Sequence, residues 1–83
     1  MKPLTTLEEA RKNREEFIKL LADGEITQKA AATLITEQTN RSCSVRTVRS
    51  WLNDEESVNW RPCPRWAVVA LETRLMTLKM NKQ

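Results

Sequence analysis

One glycine, Gly24, serves this entire chain of 83 residues. Glycine enters left-handed backbone without strain, so tight hairpins and phosphate-cradling loops are built around it. With a single copy, a glycine-rich phosphate loop is excluded. No Asn-Gly or Asp-Gly hairpin turn joins alternating runs, and few β-branched residues alternate with polar ones. The expectation is an all-α fold. Its length suits one domain, since about 100–200 residues is the usual size, and a core this small is marginal or shared between copies. Apolar residues at 40% and charged residues at 30% exclude a disordered tail. No apolar run approaches the ~18 residues of a membrane span, and the N-terminus lacks the apolar segment of a signal peptide. A soluble, cytoplasmic protein with no membrane partner is expected.

Missing residue types narrow the chemistry. The chain has no histidine, which removes the commonest general base and metal ligand. Cys43 and Cys63 have no CxxC partner, so neither a zinc site nor a redox pair fits, and reduced thiols near the core are expected. No catalytic residue, metal or cofactor is expected, and an enzyme is not.

Helix signals fill the chain. Thr5 and Thr6 each precede a glutamate by three residues (Glu8, Glu9), the capping-box spacing. Leu7, Ala10, Phe17 and Leu21, with Ile18 and Leu20 beside them, form a helical stripe broken by Arg14. Gly24 is placed to end it as a left-handed cap, giving a first helix over 6–23. Thr27 caps a second helix, 27–40, carrying Ala31, Ala32, Leu34 and Ile35. Asn40 to Cys43 reads as a turn. Ser44 caps a third helix, 44–53, whose inner positions are Val48, Trp51 and Leu52. The polar loop opened by Asp54-Glu55-Glu56-Ser57 stiffens at Arg61-Pro62-Cys63-Pro64. Pro64 suits the first turn of a fourth helix, 64–80.

Charge is distributed unevenly. Residues 28–53 carry Lys29, Arg41, Arg46 and Arg49 against Glu37 alone, whereas the segments on either side are nearly balanced. Such a cluster is often just a solvated face, but it can also meet a polyanion. Small alanines where two helices cross, a capped short helix and outward basic positions together form a helix-turn-helix pattern. On this reading Val45, Arg46, Thr47, Arg49, Ser50 and Asn53 project outward as base-reading candidates, because arginine pairs with guanine O6 and N7. Gln28 and Lys29 open the second helix, where amides and dipole favour phosphate. Arg41, Ser44 and Arg61 flank the third helix as further phosphate candidates. The plain alternative is a four-helix bundle with two surface arginines.

The stretches Ile26 to Ala32 and Ser44 to Leu52 resemble the helix-turn-helix of small phage-type repressors. Trp60-Arg61-Pro62-Cys63-Pro64, leading into Ala67 to Glu72, is similar to the aromatic-Arg-Pro-x-Pro segment and last helix of anti-CRISPR-associated regulators. The resemblance covers roughly 26–75. It implies a homodimeric autorepressor that binds an inverted repeat in the promoter of its own operon. By position, Gln28, Lys29, Arg46 and Arg49 fall where that family contacts DNA. The sequence departs in the turn, Thr36 to Cys43, which is longer than usual and lacks glycine at its start. Which of Arg46 and Arg49 reaches a base therefore stays open.

The last helix bears on assembly. At about 100° per residue, Ala67, Val68, Leu71, Leu75 and Leu78 fall on one face. Trp66, Val69, Met76 and Met80 gather on a nearly opposite arc, which suits a twofold dimer interface. The alternative is that Trp66 folds back over Trp60. Two other functions use parts of the same pattern: an antitoxin or excision-type DNA-binding factor, and a protein-binding inhibitor that uses the acidic 54–56 loop with Trp60 and Trp66.

Overall fold

Three hydroxyl side chains open helices by holding the amide three residues on. Thr6 Oγ1 accepts from the Glu9 N–H at 3.1 Å, Thr27 Oγ1 from Ala30 at 3.0 Å and Ser44 Oγ from Thr47 at 3.2 Å. The Glu9 carboxylate accepts the Thr6 N–H in return, completing a capping box. In the computed structural model, which describes residues 6–80 and Met80 by its backbone alone, these caps precede three of four helices. They are α1 (Leu7–Gly24), α2 (Gln28–Thr39), α3 (Val45–Leu52) and α4 (Arg65–Met80). No strand occurs among the described residues. No described helix is long and apolar enough to cross a membrane. Pro64 lies one residue outside α4, where its carbonyl accepts the Ala67 N–H.

Gly24 does not supply the left-handed residue. It is the last residue of α1, and the positive φ falls on Glu25, at 52°. A Cβ at Gly24 would stand 3.4 Å from both terminal methyl groups of Leu75 on α4, an ordinary van der Waals contact, so neither backbone nor packing demands glycine there. The other left-handed residue is Asn40, φ 58°, which ends α2 and donates its N–H to the Thr36 carbonyl at 2.8 Å. Asparagine tolerates this conformation better than most residues, so the turn needs no glycine.

α2 packs against both α3 and α4, and α1 packs against α4 and also meets α3. Phe17, Ile35, Val48, Cys63, Val68 and Leu71 are fully enclosed, and Ala31, Ala32, Ala67 and Ala70 fill the close crossings. Leu7 and Leu78, expected on inner faces, are instead exposed in the terminal turns of α1 and α4. Between Ala10 and Phe17 the buried position of α1 is polar: Asn13 donates from Nδ2 to the Cys63 carbonyl at 2.9 Å. That bond satisfies a carbonyl that would otherwise lie dry, and fastens the loop before α4 to α1.

Candidate functional site

The turn that aims α3 is organised by one hydroxyl. Thr36 Oγ1 lies 2.9 Å from the Ala32 carbonyl and 3.2 Å from the Cys43 carbonyl, and accepts the Cys43 N–H at 3.0 Å. A threonine one turn before the end of α2 thus takes both main-chain polar groups of Cys43, whose side chain is buried. Thr39 accepts the Arg41 N–H in the same way. The extra length of the turn is absorbed by these bonds and by Asn40, so α3 starts from a fixed point.

The opposite face of α3 is open. Arg46, Thr47, Arg49 and Ser50 line a shallow groove of about 500 Å³, joined by Asn53 at the end of the helix and by Asn59 and Arg61 from the following loop. Five of the six α3-region residues expected to read bases therefore share one surface. Val45 does not line it and is half-buried. Arg61, expected at phosphate, shares the groove, and its N–H donates to the Ser50 carbonyl at 2.9 Å. This bond satisfies one of the last-turn carbonyls of α3 and clamps the loop to the helix. Asn59 was not legible from the sequence, because its placement depends on that fold-back.

Hydrogen bonding sorts the groove residues. Ser50 Oγ donates to the Thr47 carbonyl at 2.6 Å, and Ser44 Oγ is engaged as the α3 cap. Asn53 is engaged at both ends of its amide: Nδ2 donates to Ser57 Oγ at 3.3 Å and Oδ1 accepts the Asp54 N–H at 2.9 Å. Arg61 donates from one terminal nitrogen to the Val58 and Trp60 carbonyls. Ion pairing separates the arginines further. Arg11 meets Glu55, Arg65 meets Glu16 and Arg74 meets Glu37, at 2.6–2.9 Å. Among the described residues, Arg46, Arg49 and Arg61 pair with no carboxylate. In the loop after α3, the bidentate bond from Arg11 holds the Glu55 carboxyl below the usual carboxylate range.

The remaining candidates lie around this face. Lys29 is exposed and Gln28 half-buried at the start of α2. Arg41 is exposed, with its guanidinium 4.7 Å from the ring centroid of Trp66. Trp66 stands edge-on to Trp51 at 5.9 Å, and Trp51 stands edge-on to Phe17 at 6.0 Å. The partner of Trp66 is thus Trp51 rather than Trp60. The rest of the expected interface arc is bare: Val69 is 44% exposed and Met76 59%. The side chain of Met80 lies outside the described residues. Beside this arc, Leu20, Ile26, Leu75, Met76 and Leu78 line a largely apolar groove of about 930 Å³, edged by Asp23, Glu25, Glu72 and Lys79.

No protein-family model, curated protein or solved structure matches this chain.

Proposed function

We propose that this chain is a sequence-selective regulator that binds duplex DNA through a helix-turn-helix formed by α2 and α3. It would act as a dimeric autorepressor on an inverted repeat, as the resemblance to anti-CRISPR-associated regulators implies. The carrying observation is the segregation of the arginines. Arg11, Arg65 and Arg74 are matched to glutamates, Arg14 reaches a main-chain carbonyl and Arg41 the Trp66 ring, whereas Arg46, Arg49 and Arg61 converge on one groove without a counter-charge among the described residues. Uncompensated guanidinium groups on the outer face of a short helix fit guanine edges and phosphates. Arg46 lies in the first turn of α3, where recognition helices enter the major groove, and Arg49 one turn deeper. Ser50 and Thr47 complete the base-facing row. Gln28, Lys29, Arg41 and Ser44 sit where flanking phosphates would run.

The proposed second surface is the α4 arc. Val69 and Met76 form the centre of a twofold seam, with Trp66 at its edge and Met80 beyond. A twofold pair would set two recognition helices about 34 Å apart, one turn of DNA. The inhibitor alternative is weakened by the acidic loop itself, because the Glu55 carboxylate is occupied by Arg11.

A gel shift with DNA from upstream of the protein's own coding sequence, at stated salt, tests the reading. Arg46→Ala or Arg49→Ala should each cost about 1–3 kcal/mol per site and flatten the preference at one base pair of each half-site. Lys29→Ala should weaken all sequences alike. Wild-type protein that shifts no duplex, or arginine variants that keep every preference, would overturn it.

A further inference from the structure

We propose that Asn59, in the loop between α3 and α4, is a second base-reading side chain that takes the edge of an adenine beside the bases facing α3. The inference rests on the DNA-binding reading above and extends the reading surface beyond the helix. Two asparagines line the arginine groove, and their amides are in opposite states. The Asn53 amide is used at both ends within the loop, so it staples the chain as it leaves α3. The Asn59 side chain makes no hydrogen bond among the described residues and is exposed.

Its backbone is nevertheless held. The Asn59 N–H donates to Ser57 Oγ at 3.2 Å, the same hydroxyl that takes Nδ2 of Asn53. Ser57 donates its N–H to the Asp54 carbonyl at 2.9 Å and Trp60 donates to the Ser57 carbonyl at 3.1 Å. The Arg61 N–H then ties the loop to Ser50 on α3. A carboxamide on a pinned backbone, at the rim of a groove carrying Arg46, Arg49 and Arg61, presents one donor face and one acceptor face. Adenine offers the complementary pair in the major groove, the N6 amino group and N7. Guanine offers two acceptors there and suits the arginines instead.

The test is selection of duplexes from a random library by the full-length protein, followed by sequencing. Wild type should enrich a motif with an A·T pair next to the guanines assigned to α3. Asn59→Ala should reduce discrimination at that pair about 5- to 150-fold, the equivalent of one bidentate contact, and leave the other positions unchanged. Asn59→Asp should move the preference there to cytosine, whose N4 donates to a carboxylate. Because the side chain makes no bond within the fold, both variants should keep the wild-type helical circular dichroism. If wild type selects a motif and both variants keep its preference at every position, Asn59 is not a reader. If wild type enriches no motif, the DNA reading fails and this inference with it.

Discussion

The guanidinium carbon of Arg41 lies over the indole ring of Trp66, 4.7 Å from its centroid, and so ties the turn before α3 to the first turn of α4. Attraction between the cation and the ring face favours one placement of this long side chain over its many others. Arg41→Ala should weaken binding to all duplexes alike and reduce the salt slope by about 0.9 per subunit. Trp66→Phe, which keeps a ring face, should retain the slope, while Trp66→Leu should reproduce part of the Arg41 loss. Fluorescence anisotropy across a salt series measures all three. An unchanged slope in Arg41→Ala would mean the guanidinium contacts no phosphate.

Thr36 predicts a coupled loss of stability and binding. Thr36→Val keeps the shape but leaves the buried Cys43 main-chain groups without their hydroxyl partner. Denaturant unfolding should show a cost of about 1–3 kcal/mol, and Thr36→Ser should recover most of it. Duplex affinity should fall in the valine variant at temperatures where it remains folded, because the turn sets the start of α3.

The caps at Thr6, Thr27 and Ser44 were legible in the sequence because each bond closes within three residues. Helix number and the inner faces of α2 and α3 followed from the same local rules. Less legible were residues whose partners lie far along the chain. Asn13 looks like a surface residue until it meets the Cys63 carbonyl fifty residues on. Among the site residues, α3 spacing predicts the Arg46–Arg49 row, but nothing local tells Asn53 from Asn59. Their amides differ only because the loop folds back through Ser57 and Arg61.

The bare α4 arc predicts a dimer. Val69→Glu would place an unpaired charge at the centre of the proposed seam and should yield monomers in light scattering at micromolar concentration. Operator affinity should collapse with it, since one half-site offers half the contacts. A wild type that is monomeric at that concentration would remove the seam from the account.

Burial pushes the Cys63 thiol up to about 12 from an ordinary value of 9.0. Between these values the unfolded chain gives up a proton that the folded chain keeps, so stability falls as pH rises from about 9 toward 12. Below pH 9 the thiol adds no pH dependence. Denaturant titrations at pH 8 and 10.5 should show this decline in wild type and a smaller one in Cys63→Ala. Equal declines would mean that the thiol titrates alike in both states.

The most direct test of the central claim is the salt dependence of duplex binding by wild-type protein. If Arg46, Arg49 and Arg61 with their flanking cations form a nucleic-acid surface, log Kobs should fall linearly with log salt concentration, by about 0.9 for each phosphate neutralised. The Arg46→Ala/Arg49→Ala double variant should bind more weakly at every salt concentration and should lose sequence preference. A wild-type slope near zero, or no duplex binding even at low salt, would contradict the assignment of this groove to DNA.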